Sequence, residues 1–246
     1  MWFLIIVLSL LMGLSFIVGL LISKRFKNKF MTYFATGLAF AIILAVLFTD
    51  IFPELFELST NYSEIWLAFV GEALGILSLI VLDIFVPHHH HVHKHNDEDK
   101  KDHKEHLYHI GLLTFISVIL HNVLEGIAFY LVGKTSITSA LLMAGGIALH
   151  NIPLGIEMSY FFSDHENKHL RKYIALVLSG TLGAVIGLLI GDLSTVTNII
   201  VLSITCGMML YIGFYELGIE SIKNIKEKGV IEGILVGAII FALILL

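Results

Sequence analysis

Charge is scarce in this chain. Only 14% of its 246 residues are Asp, Glu, Lys or Arg, against 57% hydrophobic. That balance excludes a soluble domain of this length and indicates a multi-span membrane protein. Cysteine occurs once, at Cys206 inside an apolar run, which excludes an intramolecular disulfide and argues against a metal site built on thiolates. The sequence has no G-x-x-x-x-G-K-[ST] phosphate loop, and neither of the spans that carry the His-Asn pairs has an H-E-x-x-H order. Coupling to ATP and intramembrane metalloprotease chemistry are therefore unsupported, and no enzyme activity is expected. The net charge of −5 is mild, and no nucleic-acid partner is expected.

What the chain has instead is apolar length. A helical span needs about 20 apolar residues, and runs of about that length fall at roughly 2–23, 31–51, 65–86, 109–132, 137–161, 173–191, 197–217 and 230–246. The opening "MWFLIIVLSLLMGLSFIVGLL" lacks a basic n-region and a small-residue cleavage site, so it reads as a first span and not a signal peptide. The runs are too long for strands and lack period-2 alternation, and in lipid each backbone group must be paired within its segment. The predicted fold is an all-α bundle of eight transmembrane helices in a cell membrane, one domain over residues 1–246.

Fourteen of the fifteen Lys and Arg residues fall in alternate loops, at 24–30, 87–108, 162–172 and 218–229, leaving Lys134 alone on the other side. By the positive-inside rule those loops are cytoplasmic and both termini are extracytoplasmic. The outer side carries Glu54, Glu57, Glu64 and Asp192. These are either ordinary solvated acids or a negative mouth that concentrates cations.

The cytoplasmic segment 87–108 contains "HHHHVHKHNDEDKKDHKEH", with eight of the thirteen histidines. Such tracts bind borderline metals through imidazole. His88, His89, His90, His91, His93 and His95 are the candidate ligands there.

Two near-copies, "HNVLEGIAF" from His121 and "HNIPLGIEM" from His150, lie near the middle of spans four and five. Ionisable groups at that depth mark functional sites. Adjacent spans run antiparallel, so the two histidines share a depth and can face each other. Glu125 lies four residues after His121, on the same helix face. Imidazole nitrogen plus carboxylate oxygen suits Zn²⁺, and also Fe²⁺, Mn²⁺ or Cd²⁺. Asn122 and Asn151 offer carbonyl oxygens one position on. Glu157, seven residues after His150, shares its face about 10 Å further toward the cytoplasm. Pro153 frees the carbonyl of residue 149 beside His150. Thr114 and Ser117 either line the same path or serve helix packing. Asp50 and Glu54 near the end of span two, and Tyr211, Glu216 and Glu220 near the end of span seven, are pathway residues or interfacial caps. Glu72 in span three is a buried acid without an evident partner.

These residues resemble the ZIP family of divalent-metal transporters, over nearly the whole chain. "HNVLEG" is similar to the family's "HNFPEG"-like motif, carrying over His121, Asn122, Glu125 and Gly126. "HNIPLG" is similar to its "HNIPEG" motif, carrying over His150, Asn151, Pro153 and Gly155. "DIFPE" looks like its "HLLPE" ending of span two, with Asp50 in place of His, and "YIGFYEL" looks like the end of its span seven. The resemblance implies a metal centre between spans four and five, a homodimer, transport toward the cytoplasm and an elevator-like sliding of one helix bundle against another.

Two departures stand out. Leu154 occupies the position where the family has a Glu that can bridge two metals. In span six, "SGTLGA" places Gly180 where an "AEPLGA"-like pattern has Glu. A mononuclear site of His121, Glu125 and His150, completed by water or by Glu157, is expected. Zn²⁺ or a similar ion would be the transported substrate. The alternative is a membrane metal sensor or binding protein that does not transport.

Overall fold

The computed structural model describes residues 2–26, 28–85, 98–161, 166–191 and 194–244. Among them the chain forms eight helices and no strand: α1 (Trp2–Arg25), α2 (Lys29–Leu58), α3 (Tyr62–Phe85), α4 (Glu98–Thr135), α5 (Ile137–Phe161), α6 (Glu166–Ile190), α7 (Thr195–Lys223) and α8 (Lys228–Ile244). Seven of them contain stretches long and apolar enough to cross a membrane. The eighth, α8, is 17 residues long. α4 begins at Glu98, well ahead of the apolar run predicted from 109, and the six candidate loop histidines between His88 and His95 lie outside the described residues.

Two helices change pitch where side chains dictate it. α2 is π-helical over Leu47–Ile51, just before Pro53, and Phe52 N–H donates to the Leu47 carbonyl. Proline has no N–H to donate four residues back, so the wider turn absorbs the missing bond, and the helix continues to Leu58, past the predicted end at 51. α7 is π-helical over Tyr211–Gly218. Such turns concentrate at functional sites. By contrast α5 stays α-helical through Pro153.

The helices pack as two groups. α1 lies against α5 and α6, and α4 against α6; α8 lies against α2, and α3 against α7. Glycine sets both interfaces. A Cβ on Gly13 would stand 2.1 Å from the Val177 carbonyl oxygen, and one on Gly126 would stand 2.1 Å from that of Gly180. In the other group Gly37 meets Val230, and Gly207 meets Glu72, just as closely. Small residues allow backbones to approach this near without a hydrophobic driving force from water. Among the described residues, none of these close approaches crosses from α1, α4, α5 and α6 to α2, α3, α7 and α8. The two groups meet where α2 packs on α5 and α7 on α4, and α4 and α5 carry the His-Asn motifs.

Candidate metal centre

His121 and Glu125 stand one turn apart on α4 and His150 projects from α5 to meet them. Glu125 bridges the pair: its Oε2 lies 3.7 Å from His121 Nε2 and its Oε1 lies 3.7 Å from His150 Nε2. The imidazole centroids are 6.0 Å apart. The three ligand atoms lie within 4.8 Å of one another, and all three residues are buried. Tetrahedral Zn²⁺ with bonds of about 2.0–2.1 Å spaces its ligands about 3.3 Å apart. The spread of up to 4.8 Å would have to close by about 1.5 Å at its widest for one ion to meet all three residues. Three protein ligands leave a fourth position for water, the arrangement of exchangeable rather than structural zinc.

The asparagines face elsewhere. Successive helical residues are rotated by about 100°, so each Asn turns away from its histidine. Asn122 Nδ2 donates to Ser179 Oγ on α6 at 3.0 Å, and Ser179 Oγ donates to the Leu176 carbonyl at 2.7 Å. Asn151 Nδ2 donates to the Met12 carbonyl on α1 at 3.3 Å. Both asparagines thus tie the motifs into the first helix group, and their Oδ1 atoms are buried without a partner. Nothing in the local sequence signals Met12 or Ser179 as these partners.

The two departures differ in surroundings. Leu154 is buried in the main apolar cluster. Gly180 has room beside it, since a Cβ there would meet only the Asn122 carbonyl oxygen, at 3.8 Å.

Glu157 does not join the three ligands. Its carboxylate accepts a 3.4 Å hydrogen bond from Thr36 Oγ1 on α2. Ser117, one turn before His121, is buried with its hydroxyl unpartnered. Glu54 is exposed, and the side chains of Asp50 and Thr114 lie outside the described residues. Glu64 caps α3: its Oε2 accepts from Thr60 N at 2.8 Å and Asn61 N at 3.2 Å, while Asn61 Oδ1 accepts from Glu64 N at 3.0 Å. That reciprocal pairing is a capping box and gives Glu64 a local role. Glu72 lies on α3 where its backbone closely approaches Gly207 of α7.

Fold and site together define a multi-pass, all-α membrane protein with a buried cluster of two histidines and a glutamate between two of its helices that could hold a metal ion. A family model described as ZIP Zinc transporter matches residues 86–245. Curated relatives include the zinc transporter ZupT of Streptococcus mutans, 29% identical over 74% of this chain and 71% of its own length. The ZupT proteins of Stenotrophomonas maltophilia (strain R551-3) and Clostridium perfringens are each 27% identical, over 72% and 74% of this chain and 67% and 71% of their own lengths. The chain belongs to the ZIP zinc transporter family. It is accordingly a membrane transporter of divalent metal and not an enzyme.

Proposed function

We propose that the chain carries Zn²⁺ toward the cytoplasm through a single-metal site formed by His121, Glu125 and His150. The observation that carries this reading is the meeting of two imidazole Nε2 atoms on the two oxygens of one carboxylate, buried between α4 and α5. Two neutral nitrogens and one carboxylate favour a borderline ion such as Zn²⁺, with Fe²⁺, Mn²⁺ and Cd²⁺ as competitors. Burial of Leu154 in the apolar cluster, and a glycine at position 180, support one ion per site.

Loop charge supports extracytoplasmic termini and a cytoplasmic histidine segment at 87–108. An ion captured on the outer side sheds part of its water, binds the three ligands and leaves past Glu157 toward the histidines. The ligands all sit on α4 and α5, in the group keyed together by glycine, while α2 and α7 of the other group line its flank. Sliding of the first group along the second would expose the site to each side in turn.

The test is Zn²⁺ uptake by proteoliposomes. His121→Ala should abolish uptake while the protein remains monodisperse; uptake equal to wild type would sink the site assignment. Burial of Leu154 where the family has a bridging Glu favours, as a second reading, a sensor that binds without transport. That reading requires Zn²⁺ binding in detergent with no wild-type flux.

A further inference from the structure

The two helix groups are joined by a hydrogen bond as well as by packing. Asn122, Asn151 and Tyr173 all donate within the first group, to α6, α1 and α5. Thr36 reaches out of its own. Its Oγ1, on α2, meets Glu157 Oε1 on α5 at 3.4 Å, and the same hydroxyl meets the Thr32 carbonyl one turn back at 3.2 Å. Both residues are buried, and Glu157 Oε2 has no hydrogen-bond partner among the described residues. Each end of this bond is anchored in its own group. Gly155, two residues before Glu157, lies against the Phe16 backbone of α1, and Gly37, beside Thr36, lies against that of Val230 on α8. Around the bond the seam is apolar: Leu38, Ala39 and Ile42 of α2 share one buried cluster with Leu154 and Met158 of α5.

These two kinds of contact respond differently to sliding. Apolar burial is non-directional, so it holds the groups together without fixing one position along the seam. A hydrogen bond depends on distance and angle. Displacement by one residue's rise, about 1.5 Å, would carry a 3.4 Å contact beyond hydrogen-bond range. The apolar side chains around it offer no replacement partner, and a buried polar group left unpaired is unfavourable. We propose that Thr36 and Glu157 form a latch across the seam, which holds the two groups in the position described and must open each time the metal-bearing group moves. This rests on the sliding reading above. Glu157 shares α5 with His150 but lies about two turns from it, so the latch governs where the site stands and not how the ion is held.

Double electron–electron resonance reads the position of one group against the other, in the full-length chain in lipid nanodiscs with spin labels at Leu170→Cys and Leu243→Cys. Both residues are exposed, on α6 and α8 near opposite ends of the bundle, so a slide changes their separation. Cys206 is buried, out of the label's reach. The chain with Thr36 and Glu157 intact should show two separations whose ratio changes with Zn²⁺. Thr36→Val keeps the shape and removes the hydroxyl. It should shift that ratio away from the more populated separation by about two- to tenfold, the worth of one net hydrogen bond, and Thr36→Ser should restore it. Glu157→Leu should act alike, and the two changes together no further than either alone. An unchanged ratio in monodisperse Thr36→Val, or in Glu157→Leu if Thr36→Val does not fold, overturns the latch. So does a fall in melting temperature without a change of ratio, the mark of a merely structural threonine. Failure of the sliding reading looks different: one separation with and without Zn²⁺ and in every variant, which removes the latch with it.

Discussion

His150 Nε2 lies 3.7 Å from Glu125 Oε1, across the boundary between α5 and α4. This contact joins the two His-Asn motifs. Without it His121 would keep Glu125 on its own helix, and His150 would be an isolated imidazole in an apolar segment. Glu125→Gln keeps the shape and removes the charge. It should weaken Zn²⁺ binding by at least about 100-fold, since even residues that only support a ligand are worth 10–100-fold. Isothermal titration with Zn²⁺, in a background lacking the segment histidines, checks this; binding within a few-fold of wild type would remove Glu125 from the site.

Gly180 and Gly183 lie one turn apart on α6 and should respond oppositely to the same change. A Cβ at position 183 would stand 2.0 Å from the Val123 carbonyl oxygen, whereas at position 180 the nearest atom is 3.8 Å away. Gly183→Ala should destabilise by about 2 kcal/mol or more, as overpacking does. Gly180→Ala should be neutral or stabilise by up to about 1 kcal/mol. Thermal unfolding in detergent separates the two, and equal losses would contradict the packing of α4 on α6.

Leu154→Glu is expected to cost stability rather than create a second metal position, because the side chain is buried in the apolar cluster. A lone buried carboxylate costs several kcal/mol unless paired. The variant should melt well below wild type and still bind one Zn²⁺ at the centre. A second bound equivalent, with stability retained, would mean that the cluster opens to admit a metal.

Tyr173 ties α6 to α5 by donating its hydroxyl to the Gly155 carbonyl at 2.6 Å. Tyr173→Phe should cost about 1 kcal/mol, with Zn²⁺ affinity unchanged. An altered affinity would show that this bond positions the metal ligands as well as joining the helices.

Much of this was readable in one dimension. Membrane helices follow from run length, because lipid leaves the backbone no other partner. The His121–Glu125 pair follows from a spacing of four on one helix. Its partnership with His150 was suggested by matching depth on adjacent spans. Less accessible were the roles of the neighbours. Asn122 and Asn151 look like ligands in the motif, yet their rotation directs them to Ser179 and Met12. Glu64 looks like one acid of a charged mouth, yet it closes a capping box. In α2 the predicted end fell early because Pro53 widens the helix without stopping it.

By itself the sequence determined the class of fold, the depth of the histidines and the pairing of His121 with Glu125, since each depends on hydropathy or on separation within one helix. Only the tertiary structure decided which helices share an interface and which buried acid faces which partner. Glu157 illustrates the division. Helical rise already set it about 10 Å from His150. Its meeting with Thr36 depends on how α2 is placed beside α5, and that is governed by side-chain packing between segments far apart in the chain.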